Sequence, residues 1–125
     1  MTKDKLNDIF EKRELFMRLI RDKIPETYPQ WPVDLSQKQS QITCRETALK
    51  GVEEMFEALQ HLKNWKPHKL TEDKEFNKEE FLEEIVDAFN YFMALLIVVD
   101  VDEKKLFEAY LKKDQKIRKR LDEGY

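Results

Sequence analysis

Glycine is almost missing from this 125-residue chain, with two in all, and cysteine occurs once, at Cys44. So little glycine leaves no glycine-rich loop to cradle a phosphate and few positions for tight hairpin turns, which excludes a P-loop and argues against a β-rich fold. One cysteine can build neither a disulfide framework nor a cysteine cluster for zinc, so a reducing compartment is the expectation and Cys44 is read as a packing residue. Long apolar runs are also lacking. The run Tyr91 to Val99 is too short to span a bilayer, and the opening Met-Thr-Lys-Asp-Lys is no signal peptide, so the chain is expected to be cytoplasmic with no membrane partner. Nor is there a large charge of one sign: the net charge is −3, which does not announce nucleic acid as a partner.

What is present is charge and helical periodicity. Charged residues make up 39% and hydrophobic ones 41% of the chain, the balance of a helical protein able to bury a core within one domain, residues 1–125. Leu6, Ile9, Phe10, Leu15, Phe16, Leu19 and Ile20 recur at helical spacing and predict a first helix from about Asp4 to Lys23. Pro25, Pro29 and Pro32 then impose a loop. Asp34 or Ser36 can cap a second helix running through Ile42, Leu49, Val52, Phe56 and Leu59 to about Asn64, with Pro67 as its stop. A charged linker from Lys66 to Phe76 leads to Asn77-Lys-Glu-Glu80, a capping box for a third helix ending near Val99. Asp100 or Asp102 caps a fourth, with Leu106, Phe107, Tyr110, Ile117 and Leu121 as its apolar positions. The expected fold is all-α and four-helix-bundle-like. The third helix is apolar around more of its circumference than three neighbours in so short a chain can cover, which predicts a homo-oligomer, a homodimer in the simplest case and a homotetramer otherwise.

Two carboxylate pairs stand inside this pattern. Glu54-Met-Phe-Glu57 lies in the second helix and Glu84-Ile-Val-Asp87 opens the third, and a three-residue spacing puts both acids of a pair on one helix face. Neighbouring bases of the kind that support surface acids are scarce: four residues onward Glu54 meets Ala58, Glu57 meets His61, Glu84 meets Ala88 and Asp87 meets Tyr91, and looking back only Lys50 precedes one of them by four, in the weaker orientation. If the two helices lie side by side, like charges about 4 Å apart repel by ~4 kcal/mol per pair at an effective dielectric of about 20. A cation between them is the natural remedy, and hard oxygen donors suit Mg²⁺. Asn90 continues the polar stripe of the third helix, either orienting Asp87 or contacting a ligand through its amide. Di-iron bundles are set aside because neither pair is followed by His at the required spacing. His61 and His68 read as solvated or capping groups. Lys112, Lys113, Lys116, Arg118, Lys119 and Arg120 crowd the C-terminal helix, a basic element of the kind a polyphosphate needs beside an acidic metal site.

A helix-borne Glu-x-x-Glu followed on the next helix by Glu-x-x-Asp resembles the all-α NTP pyrophosphatase superfamily, which includes MazG and the dimeric dUTPases. Leu62-Lys-Asn-Trp65-Lys66, Asn90-Tyr91 and the closing Lys113, Arg120 and Gly124-Tyr125 are similar to elements of the dUTPase and phage dCTPase-dUTPase branch. Leu19-Ile-Arg-Asp-Lys-Ile-Pro25 looks like a stretch in MazG-like relatives, so both branches stay open. The resemblance implies a nucleotide pyrophosphohydrolase that cleaves a (d)NTP to (d)NMP and pyrophosphate with two or more Mg²⁺ ions, Mn²⁺ being the expected substitute. It makes Glu54, Glu57, Glu84 and Asp87 the metal ligands and Glu54 or Glu53 the general base. Arg13, Trp65, Lys66, Asn90, Lys113 and Arg120 are then the substrate-binding candidates. Where uracil-reading members carry Gln and a second amide one turn later, this chain has Arg13 and Met17, and where the branch's terminal pattern has Asn this chain has Ile117. The base specificity of the dUTPases is therefore not carried over. The alternative in another class is a catalytically silent helical module whose acids hold a structural cation or a basic partner protein.

Overall fold

The computed structural model describes residues 4–69 and 75–124, so Tyr125, the first three residues and the middle of the Lys66 to Phe76 linker lie outside the described residues. Four α-helices follow in order, α1 (Lys5–Lys23), α2 (Lys38–Leu59), α3 (Lys78–Val98) and α4 (Glu103–Glu123), with a 3₁₀ turn at Pro25–Thr27, and there is no strand among the described residues. The chain is all-α. Its contacts gather in two compact units, one of Met1–Val33 with Leu96–Tyr125 and the other of Asp34–Leu95.

In the first unit Asp4 caps α1 by accepting from the Asn7 backbone N–H, and Lys12–Asp8 and Arg18–Glu14 pair one turn apart along its exposed side. The helix ends where Pro25 cannot continue it. The prolines that follow turn the chain back on α1: Tyr28 is buried and its hydroxyl accepts from Arg13 at 2.8 Å, while Trp31 lies under the guanidinium groups of Arg18 and Arg21 at 5.1 and 4.4 Å. Phe10 and Met17 are the buried residues of α1, and Ile97 and Val98 at the end of α3 are buried as well. The Val33 N–H donates to the Val98 carbonyl at 2.9 Å. Asn7 donates to Glu103 at 2.5 Å, which ties the starts of α1 and α4 together.

The α3–α4 corner depends on Asp100. Its φ of 64° is left-handed, and the Val101 N–H reaches back to the Leu96 carbonyl while the Asp100 N–H bonds that of Ile97. This is a Schellman-type ending with Asp where glycine is usual, in keeping with the scarcity of glycine. Asp102 then caps α4, accepting from the Lys105 N–H.

In the second unit α2 starts later and stops earlier than the sequence predicts. The Asp34 carboxylate accepts from both the backbone and the hydroxyl of Ser36, forming a local turn, so neither residue caps the helix and Gln37 holds that position without a side-chain bond. At the other end Gln60, His61 and Leu62 close short turns onto Glu57, Ala58 and Leu59, well before Pro67. Asn77 caps α3 as expected, accepting from the Glu80 N–H at 3.1 Å.

α2 and α3 lie antiparallel. Gly51 faces the Phe92 ring, Glu54 faces Glu84 and Asp87, and His61 meets Phe81 edge-on at 6.5 Å, so positions climb on one helix as they fall on the other. At Gly51 a Cβ would stand 2.8 Å from the Phe92 ring, so glycine there lets the helices approach. Cys44, Thr47, Ala58, Ala88, Met93 and Ala94 are buried, mostly small side chains that permit the same closeness. α3 is less enclosed than its apolar run implies, because Leu82, Val86, Phe89 and Phe92 remain 36–57% exposed. No helix among the described residues is long and apolar enough to cross a membrane.

Candidate metal centre

Glu54 sits one turn beyond Gly51 on α2, and Glu84 and Asp87 occupy one face of the first half of α3. The antiparallel pairing brings one oxygen from each of the three within 4.8 Å of the others. Ligand oxygens around an octahedral Mg²⁺ with bonds of 2.0–2.1 Å stand about 2.9–4.2 Å apart, so modest side-chain movement closes the set on one ion. Glu57 completes the expected four. Its carboxylate acts on both Glu54 and Glu84, and it is itself exposed.

Desolvation first, and like charge after it, disfavour the ionised carboxylates. The Glu54 carboxyl is held above the usual carboxylate range first by desolvation, then by contact and repulsion with Glu57, then by Asp87 and Glu84. Glu84 is raised by desolvation, Glu57 and Asp87, with His61 pulling slightly the other way. Both are half-buried, whereas Asp87 and Glu57 face solvent. Four oxygen-donor carboxylates, with His61 in range of Glu84, fit a hard divalent cation, and the repulsion they share is what such an ion removes.

His61, read from the sequence as a solvated or capping group, lies just past the end of α2 at Leu59, half-buried with its ring edge-on to Phe81 and with Glu84 in range. The signal was the Glu57 to His61 spacing, noted only as a spacing without a base. Asn90 follows Asp87 by one turn on α3 and is half-buried. Glu53 points outward on α2, exposed.

Trp65 and Lys66 are placed differently from the expectation. The Lys66 ammonium lies 5.5 Å over the Trp65 ring, and the two line a groove of about 650 Å³ with Phe56, Leu59, Gln60, Leu62 and Lys63. Phe56 and Leu59 lie about 100° or more around α2 from Glu54 and Glu57, so these two helix residues of the groove face away from the acids. The structure brings the four acids together, and Trp65 and Lys66 line the groove with Phe56 and Leu59. The remaining candidates belong to the first unit. Arg13 is half-buried on α1, bonded to Tyr28 and lying over the Phe16 ring at 5.2 Å, while Lys113 and Arg120 are exposed on α4. Met17 is fully buried and presents nothing to a ligand.

No protein-family model matches the chain, and no curated protein or solved structure is recognisably similar to it.

Proposed function

We propose that this chain is a Mg²⁺-dependent nucleoside triphosphate pyrophosphohydrolase, releasing pyrophosphate and the nucleoside monophosphate. The observation that carries the reading is the convergence of Glu54, Glu84 and Asp87 within 4.8 Å, with Glu57 beside them, on two antiparallel helices. The order and spacing of the two motifs resemble the all-α NTP pyrophosphatases, and the convergence is what that resemblance requires of them.

When bound, Mg²⁺ supplies charge neutralisation for the triphosphate and acidifies the attacking water. The chain does the rest. Glu54, Glu57, Glu84 and Asp87 would hold the ion, and a Glu54 oxygen left free by the metal would take the proton from the water, with Glu53 as the neighbouring alternative. Asn90 orients Asp87 or meets the sugar or base. The resemblance also implies Lys66, Trp65, Lys113 and Arg120 as substrate contacts, but Lys66 and Trp65 line a groove with Phe56 and Leu59, and none of the four is part of the observation that carries this reading. Mn²⁺ substitutes for Mg²⁺. The working form is a homodimer or homotetramer, a reading supported by the Leu82, Val86, Phe89 and Phe92 face that one copy leaves uncovered.

The test is a product-resolved assay of the purified chain with each dNTP and NTP in the presence of Mg²⁺. Stoichiometric pyrophosphate and monophosphate, abolished by EDTA, are expected. If there is no turnover while Mg²⁺ still binds, the reading falls and the silent cation-binding module takes its place.

A further inference from the structure

The proposed reaction makes one demand that the acids cannot meet. A triphosphate seated on a carboxylate-bound cation keeps phosphate oxygens that the ion does not reach, and these need a donor from the protein. In the unit that holds the acids, His61 is placed to supply it. Its backbone N–H closes a short turn onto the Ala58 carbonyl at 3.1 Å, so the side chain leaves the chain just beyond the last turn of α2 and just past Glu57. Across from it on α3 stands Phe81, three residues before Glu84, with ring centroids 6.5 Å apart and planes at 72°. That contact orients the imidazole at the end of the acid cluster. Phe81 is engaged by Phe76 as well, at 5.4 Å, so this end offers imidazole nitrogens rather than an open aromatic face for a base. Neither nitrogen has a hydrogen-bond partner among the described residues, and neither is sealed from solvent. Among the groups that act on Glu54 and Glu84, His61 is also the one base.

Resting on the proposed reaction, we infer that His61 is a further substrate-binding residue of the metal centre, its ring N–H donating to a non-bridging oxygen of the two terminal phosphates, the part that leaves as pyrophosphate. The terminal phosphates carry most of the charge of the chain, and a single donor beside the ion is of most use there. Neutral imidazole carries one N–H and imidazolium two, so the contact exists in either state. His61 makes and breaks no bond. It holds the departing group while water attacks.

Calorimetric titration of the purified chain with pyrophosphate in the presence of Mg²⁺ tests this, beside titrations with a deoxynucleoside monophosphate and with Mg²⁺ alone. His61→Leu keeps an apolar contact for Phe81 and loses the donor, whereas His61→Gln keeps a donor. His61→Leu should weaken pyrophosphate binding at least about tenfold, the scale of a hydrogen bond to a charged group. His61→Gln should recover most of it, with monophosphate and Mg²⁺ binding unchanged in both. In turnover His61→Leu should raise KM more than it lowers kcat. Circular dichroism checks the fold, and His61→Ala gives the same comparison without added bulk. The inference is overturned if wild type binds no pyrophosphate, if His61→Leu binds it as wild type does, or if His61→Gln is as weak as His61→Leu. It is equally overturned if the loss falls on Mg²⁺ alone, which makes His61 a prop for the ion, or on the monophosphate, which puts it at the nucleoside. Pyrophosphate binding that depends on His61 in a wild type without turnover strikes the proposed reaction and leaves the contact standing.

Discussion

Glu54 and Glu84 each carry a charge that the fold disfavours, and this fixes the sign of a pH effect. Both carboxyls titrate above the ordinary glutamate range in the folded chain. Between that range and the raised one the folded state holds more protons than the unfolded state, so the stability of the metal-free protein falls as pH rises through the window. Mg²⁺ reverses the trend, because it binds the deprotonated carboxylates and so gains affinity as pH rises. Asp34, lowered by the hydroxyl and backbone N–H of Ser36, works in the opposite sense at acid pH, so the comparison is best made against Glu54→Gln. Scanning calorimetry at about pH 5 and about pH 8 should show the advantage of Glu54→Gln over the metal-free wild type growing with pH. An advantage that shrinks would mean the carboxylates do not repel. Glu57→Gln and Asp87→Asn belong to the same scale: each should weaken Mg²⁺ binding at least tenfold in calorimetric titration and remove turnover, with helical content unchanged. Near-normal activity in either variant would return these acids to the role of solvated surface groups.

At the scale of the element, what the sequence revealed depended on whether local chemistry had a rival. The four helices, the cap at Asn77 and the cap at Asp102, one of two candidates, were legible because periodicity and capping point the same way there. The start of α2 was not, since Asp34 and Ser36 satisfy one another in a turn instead of a helix N-terminus. The acid cluster was legible from two three-residue spacings. The placement of Trp65 and Lys66 in a groove with Phe56 and Leu59 was not, because α2 ends early at Leu59, where no glycine or proline marks the stop. Gly51 shows how one residue sets the distance between elements. Gly51→Ala gains up to about 1 kcal/mol of helix propensity but must displace the Phe92 ring, and Gly51→Leu must push α2 from α3 at about 1–3 kcal/mol. Gly51→Leu should therefore lower Mg²⁺ affinity while far-UV dichroism stays helical; unchanged affinity would show that the spacing is set elsewhere. Asp100→Gly should raise stability by about 0.5–1 kcal/mol in urea titration, because glycine relieves the left-handed φ of 64° at the α3 ending. A loss would show that Lys105, which donates to the Asp100 carbonyl and lies near its carboxylate, depends on the aspartate.

For the whole molecule the sharpest test of the proposed activity is which nucleotide it would select. Strong discrimination against an analogue comes from buried polar groups left unpaired when the wrong base enters, and reaches factors of about 10⁴–10⁵, whereas apolar fit gives roughly 10–200. At the two α1 positions where the resembling dUTPases carry amides, this chain offers Arg13 and Met17. Met17 is wholly buried, and the Arg13 guanidinium is bonded to the Tyr28 hydroxyl and lies over Phe16. Neither presents the paired donor and acceptor that reads a pyrimidine edge, and Arg13 can donate but never accept. The proposed enzyme should therefore spread its activity over several dNTPs, with kcat/KM values for dUTP and its competitors within about a thousandfold of one another. Tyr28→Phe releases Arg13 from its hydroxyl partner and, if Arg13 has no part in base reading, leaves the ranking of substrates unaltered. A preference for dUTP beyond about a thousandfold would mean that α1 is not where the base is read and that other side chains supply the missing amides.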